Sequence, residues 1–344
     1  MGGTLVIQTA FLGDVVLTTP LICAASERFN SKVSVVTIPA GADLLGGRDN
    51  GLPGVEEVIA YDKKGVDKGF KSFLKMFRQL RERRFDVALV PHRSARSAML
   101  AFLADIPIRI GFNQSALPFL FTHTVPRRME LHEVERNLEL LKPFGGASAG
   151  YKPKLCVSVP NDARERAKEM LEELLSAEHI IGIAPGSVWG TKRWLPEGFA
   201  EVMNILSTRT NSAFVLLGSP ADRSTAQVVA SKTFAKFINL AGSTTIPELA
   251  AVIAMLDLFI TNDSGPMHIA VALDVPVVAI FGATTPSLGF TPYTDKAVVI
   301  EPPLTLECRP CSAHGPKTCP LTHFNCMRTI TPLMVVDAAM KFLL

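Results

Sequence analysis

The chain has 344 residues, 48% of them apolar and 19% charged, with 35 Lys and Arg against 32 Asp and Glu. At roughly 100–200 residues per domain this predicts about two domains with sizeable cores, which excludes disorder as the main state. A formal charge of +3 is too near neutral to argue for nucleic acid. No stretch reaches the roughly 20 apolar residues of a transmembrane helix. The opening segment has no basic n-region and is interrupted by Asp14, so it does not read as a secretory signal.

Short β-rich runs alternate with helical runs. Leu5–Gln8, Val33–Ile38, Val58–Tyr61, Val87–Val90 and Ile108–Phe112 read as strands, with helices such as Val15–Phe29 and Ser94–Ala104 between them. Near-continuous apolar strands are those buried on both faces of a parallel sheet. A polar helix, Asp162–Ser176, then precedes a second series. Its strands are Ile180–Ala184, Phe214–Leu217, Leu258–Thr261, Val277–Phe281 and Val298–Ile300. Its helices are Pro196–Arg209, Ala221–Lys232, Ile246–Met255 and Pro266–Leu273. The expectation is two α/β, Rossmann-like, doubly wound domains, 1–170 and 178–330, followed by a C-terminal helix over 331–344. Such domains bind ligands in the loops after the carboxyl ends of strands and in the cleft they share.

Four of those loops carry candidate chemistry. After the first strand, Thr9-Ala-Phe-Leu-Gly13-Asp14 offers a carboxylate at a helix start. Asp14 either caps free N–H groups or serves as a general base, a role that typically contributes about 10²–10⁴-fold. After Ile180–Ala184, the stretch Ala184-Pro-Gly-Ser-Val-Trp-Gly-Thr-Lys-Arg-Trp194 combines small residues, Ser187 and Thr191 among them, with Lys192 and Arg193. That mixture suits a diphosphate. Asp222 follows the strand at 214–217 and suits either a ribose hydroxyl or the helix dipole. After Leu258–Thr261 come Asp263, Ser264, Gly265, Pro266 and His268, a helix start fit for an anion. Neither G-x-G-x-x-G nor the P-loop pattern is matched, which disfavours a nicotinamide dehydrogenase.

At these residues the chain resembles the ADP-heptose:lipopolysaccharide heptosyltransferases, family 9 of the glycosyltransferases. The resemblance is carried by LGDVVLTTP (12–20), APGSVWGTKRWLPE (184–197) and NDSGPMHIAVAL (262–273), and within the family it is most like the heptosyltransferase II branch. It implies a GT-B fold, its two domains facing a cleft, in a bacterial enzyme of lipopolysaccharide core biosynthesis. It further implies inverting transfer of L-glycero-D-manno-heptose from ADP-heptose to an inner-core heptose, with no cofactor required for catalysis. By residue, it implies Asp14 as base and Lys192 with Ser187 and Thr191 at the donor phosphates. Asp222 would lie at the ribose, and Asp263, Ser264, Gly265 and His268 in the donor loop. Transfer to Kdo, and a GT-B enzyme using a UDP- or GDP-sugar, stay open as alternatives. A non-catalytic nucleotide- or metal-binding module is the remaining one.

Three further features bear on partners. Arg93 and Arg96, in His92-Arg-Ser-Ala-Arg-Ser97, either meet acidic acceptor groups or simply open a helix. Lys63–Arg84 has nine basic and two acidic residues. Its Lys68, Lys71, Lys75 and Arg78 form one helical face, and Phe70, Phe73, Leu74 and Phe77 the face expected in the core. The basic face could dock on anionic lipid. Finally, Cys308, Cys311, Cys319 and Cys326 crowd one tail, outside the minimal family pattern, and either hold a structural metal, zinc foremost, or stay as reduced thiols. Clustered rather than scattered cysteines point to a reducing compartment, so the expected location is the cytoplasm. The basic face, with the glycolipid acceptor the resemblance implies, adds the option of peripheral contact at the inner face of the inner membrane.

Overall fold

The computed structural model describes residues 3–46, 51–63 and 65–344. The chain divides between Ser158 and Val159 into two compact units.

In the first unit, strands β1 (Thr4–Gln8), β2 (Val33–Thr37), β3 (Val55–Ala60), β4 (Val87–Val90), β5 (Ile108–Phe112) and β6 (His123–Val125) form one sheet. All pairings are parallel, in the order β3-β2-β1-β4-β5-β6. Helices α1 (Leu12–Phe29), α2 (Pro39–Leu45), α3 (Phe70–Glu82), α4 (Ala95–Leu103) and α5 (Glu133–Leu138) connect and follow the strands. Every residue of β1, β2 and β4 is buried, because helices cover both faces. Side chains alternate between two cores. Leu5, Ile7, Ala88 and Val90 pack with Phe73 and Leu80 on one face. Val6, Val35 and Leu89 pack with Leu21 and Phe112 on the other. Truncating a residue such as Leu5 to Ala would cost about 2–5 kcal/mol.

The second unit repeats the plan. Helix α6 (Asn161–Leu171) leads into β7 (His179–Ala184), α7 (Pro196–Arg209), β8 (Ser212–Leu216), α8 (Arg223–Lys232) and β9 (Phe237–Asn239). Then come α9 (Ile246–Ile253), β10 (Leu258–Asn262), α10 (Gly265–Ala272), β11 (Val277–Ile280) and β12 (Ala297–Ile300). Helices α11 (Asn325–Arg328) and α12 (Pro332–Leu343) close the chain. The parallel order is β12-β11-β10-β7-β8-β9. Helix α9 starts with a capping box, Thr245 accepting the Glu248 N–H while Glu248 accepts the Thr245 N–H.

Three expectations change. The polar helix α6 lies beyond the unit boundary and packs on α9, so it belongs to the second unit and not to 1–170. Helix α12 is part of that unit's core through Val335, Val336, Ala339 and Leu343, rather than a separate piece. Strands β6 and β9 went unpredicted, since three residues at a sheet edge leave no legible period.

In each sheet the strand order reverses once, at β1/β4 and at β7/β10. Ligand loops of open α/β sheets lie at the carboxyl ends of the strands beside such a reversal. The loops carrying Asp14, His92, Lys192 and Asp263 follow those four strands, and the Asp222 loop follows β8 beside β7.

Candidate active site

In the first unit, the loop after β1 turns directly into α1. Phe11 has no side-chain oxygen to cap the helix, so Asp14, in the first turn, folds back and accepts the Phe11 N–H through Oδ2 at 3.1 Å. The capping role is therefore present. It also fixes the carboxylate, half-buried, at the sheet edge.

The loop after β4 lies beside it. His92 Nδ1 is 3.1 Å from Thr9 Oγ1 and 3.0 Å from Ser97 Oγ, and Lys63 Nζ donates to Thr9 Oγ1 at 3.3 Å. Burial first, then the charges of Lys63 and Arg93, push the His92 imidazole down to about 4, so it is neutral at pH 7. Of the two arginines expected at an acceptor, Arg93 is exposed. Arg96 is built into the packing: it donates to Tyr61 Oη at 3.0 Å and lies 5.8 Å from the Phe73 ring centroid. Lys63, His92 and Thr9 were not singled out from sequence. A lysine between two strands carries no signal until the sheet brings β3 and β4 to the same edge.

In the second unit the three expected loops converge. Lys192 Nζ lies 2.6 Å from Asp263 Oδ2, and the two side chains are only 12% and 7% exposed. Thr284, just past β11, donates its hydroxyl to the same oxygen at 2.7 Å. Arg193 Nε donates to Ser187 O at 2.7 Å, and its Nη2 lies 3.8 Å from Asp222 Oδ1. Asp222 Oδ2 accepts both the N–H and the hydroxyl of Ser219, at 2.9 and 2.6 Å. A glycine is required at 186, because a Cβ there would come 2.2 Å from the Asp222 carboxyl carbon. Asn262 joins two loops, accepting the Trp194 N–H at 3.0 Å and donating to Pro185 O at 2.9 Å.

Ser264 stands at the N-cap position of α10 without a side-chain capping bond, its hydroxyl 3.3 Å from Thr261 Oγ1, and Gly265 opens the helix. His268 is buried one turn further in. Thr191 departs from expectation: its hydroxyl donates to Pro316 O at 2.6 Å, so that proton is used within the protein. The edge thus presents a lysine, small residues and a helix N-terminus, the chemistry that holds phosphate oxygens.

The four tail cysteines lie in the same unit. Cys326 is buried in its core, Cys311 packs against that core, and all are free thiols. Cys308 Sγ is 4.0 Å from His323 Nε2. Burial, then the neighbouring Cys311 and Cys319, push the Cys326 thiol up to about 11. Among the described residues no group of three or more His, Cys, Asp or Glu is placed to hold a metal ion.

On helix α3, Phe73, Met76 and Leu80 are buried, while Lys71, Lys75 and Arg78 are exposed. Phe70 departs from the expected core face, being 72% exposed, and Lys68 precedes the helix. Among the described residues no helix is long and apolar enough to cross a membrane.

The family model of glycosyltransferase family 9 (heptosyltransferase) matches residues 73–321. Lipopolysaccharide heptosyltransferase 2 of Salmonella typhimurium is 30% identical over 308 residues, covering 86% of this chain and 87% of that protein. Among solved structures, a family 9 glycosyl transferase from Veillonella parvula superposes with a TM-score of 0.88 at 25% identity, over 99% of this chain and 97% of that one. ADP-heptose lps heptosyltransferase II of E. coli gives 0.77 at 25% identity, over 99% and 98%.

Proposed function

We propose that this chain, which belongs to glycosyltransferase family 9 (heptosyltransferase), transfers L-glycero-D-manno-heptose from ADP-heptose to the first heptose of the lipopolysaccharide inner core. The observation that carries the donor half is the buried Lys192–Asp263 pair beside the N-terminus of α10. As ADP departs, negative charge grows on its β-phosphate. Lys192 and the first-turn N–H groups of α10 are placed to stabilise that charge, with Ser187, Ser264 and Gly265 shaping the approach. Asp263 orients Lys192, Asp222 takes the ribose, and His268 backs the donor loop. Because the lysine and the helix end supply the positive charge, the displacement draws on no metal.

Asp14 is the base. It takes the proton of the attacking acceptor hydroxyl as that oxygen bonds to the anomeric carbon, and the single displacement inverts the centre. Arg93, with Lys63 nearby, meets acidic groups of the acceptor, whereas Arg96 serves packing. The test is ADP release from ADP-heptose with acceptors ending in Kdo or in one heptose, for wild type and Asp14→Asn. Turnover on the one-heptose acceptor alone, with about 10²-fold or greater loss in Asp14→Asn and ADP binding retained, is expected. Turnover on the Kdo-ended acceptor moves the assignment to the first heptose. ADP binding without turnover on either removes the substrate assignment.

A glycolipid acceptor also gives α3 a use. Its exposed lysines and Arg78, with Phe70 beside them, suit peripheral contact with the anionic cytoplasmic face of the inner membrane. Replacing Lys68, Lys71, Lys75 and Arg78 should weaken binding to anionic vesicles without unfolding. Unchanged binding ends that idea. For the tail, we retain reduced, partly buried thiols as the first reading. A structural zinc, drawn by the proximity of Cys308 to His323, is the second reading, and metal analysis of protein purified under reducing conditions decides between them.

A further inference from the structure

The tail segment has no role in the reaction as proposed, yet it bonds the residues that flank the Lys192–Asp263 pair: Thr191, next to Lys192, and Thr284, which donates to Asp263. Four consecutive backbone carbonyls follow β11, at residues 281–284, beyond the sheet that would satisfy them. Arg309 takes three. Its Nη2 donates to Phe281 O at 3.2 Å and Thr284 O at 2.9 Å, and its Nε donates to Gly282 O. The fourth, Ala283 O, accepts the Cys311 N–H at 3.0 Å. Glu301 Oε1 receives Arg309 Nη2 at 3.0 Å, and the arginine side chain is only 10% exposed. The result is a fixed backbone at Thr284, whose hydroxyl bonds Asp263.

The same segment grips the other arm. Pro316 O accepts both the N–H and the hydroxyl of Thr191, the residue before Lys192. The fit is close on both sides. A Cβ at Gly315, where φ is +72°, would come 2.7 Å from Thr191 Oγ1, and one at Gly190 would come 2.3 Å from Lys317 O.

We infer that Arg309 is a positioning residue: by pinning the 281–284 carbonyls it sets Thr284, and through Thr284 it holds Asp263 and Lys192 in the geometry that receives the donor phosphates. A guanidinium suits this task, because its rigid planar fork presents donors to carbonyls spread over several residues, whereas a lysine ammonium is a single compact head on a flexible stem. The inference rests on the nucleotide-donor reading for its consequence, and on the contacts alone for its geometry.

The test separates the two. Without nucleotide, the rate at which a water-soluble amine-acylating reagent modifies Lys192 is followed by mass spectrometry in wild type, Arg309→Gln, Arg309→Lys, Thr284→Val and the Arg309→Gln/Thr284→Val double variant. ADP affinity is then titrated on the same proteins, well below their unfolding temperatures. Lys192 acylation should rise about threefold or more in Arg309→Gln and in Thr284→Val, with no further rise in the double variant. Residues acting through one another are non-additive. Arg309→Lys should recover only part of the effect. ADP affinity should fall about tenfold with the same non-additivity. Unchanged Lys192 reactivity in Arg309→Gln, or strictly additive effects in the double variant, overturns the inference. Altered reactivity in a protein that binds no ADP even as wild type supports the positioning role and removes the nucleotide reading instead.

Discussion

Replacing Lys192 by Met removes the ammonium and keeps most of the side-chain volume. Asp263 is then left 7% exposed without its cation, with the Thr284 hydroxyl at 2.7 Å still donating to it. Removing one partner of a buried pair costs about 3–5 kcal/mol, because the other charge is stranded without water. The retained Thr284 bond places this site at the lower end, about 3 kcal/mol. For a domain of roughly 150–250 residues, about 2–4 °C of melting temperature is lost per kcal/mol, so Lys192→Met should melt about 6–12 °C below wild type. The signal is local. The chain has two tryptophans, Trp189 and Trp194, both in the second unit, and the Trp194 N–H is bonded to Asn262 on the neighbouring loop. Intrinsic fluorescence therefore reports this unit. Adding Asp263→Asn should recover about 2 kcal/mol, since the stranded charge is gone and the amide oxygen still accepts from Thr284. A Lys192→Met melt within 2 °C (about 1 kcal/mol) of wild type refutes the buried-pair account. So does a double variant less stable than the single one.

Other outcomes follow from the same contacts. Gly186→Ala pushes a methyl into the Asp222 carboxylate and should cost about 1–3 kcal/mol together with ADP affinity; a variant with wild-type melting and binding contradicts it. Because the folded His92 titrates near 4 against an ordinary 6.5, its contribution is complete above pH 6.5 and is lost as pH falls toward 4. His92→Asn should flatten the acid limb of first-unit stability in that window, measured by urea melts at several pH values. An acid limb as steep as wild type's counts against the shift. Cys23 Sγ lies 3.8 Å from Cys156 Sγ, and that hydrogen bond lowers the Cys156 thiol to about 7 while the same bond, then burial, raises Cys23. Iodoacetamide at neutral pH should label Cys156 before Cys326, and peptide mapping that finds Cys326 first contradicts the reading.

Much of this was legible in the residues. Near-continuous runs of β-branched and apolar residues, such as those at Leu5, Val33 and Val87, read as strands covered on both faces, and their alternation with helices argued for parallel connections. Loops after those strands carried Asp14, Lys192, Asp222 and Asp263 in view, because small residues, charge and a helix start next to one another are local facts. What chain order could not show is which groups meet. The Lys192–Asp263 pair joins loops far apart in sequence, and the reversal of strand order at β7/β10 brings them together. Thr284 and Arg309 stood in no motif. One is a hydroxyl after a strand and the other a cation among cysteines, and their weight comes from backbone carbonyls left open where β11 ends. Arg96 and Phe70 looked alike to their neighbours in sequence, yet Arg96 packs on Tyr61 and Phe73 while Phe70 faces solvent. Periodicity and residue type determine which segments fold and what they can offer chemically. Pairwise contact over long separations, decided by sheet order and the satisfaction of buried polar groups, determines which of those offers become a site.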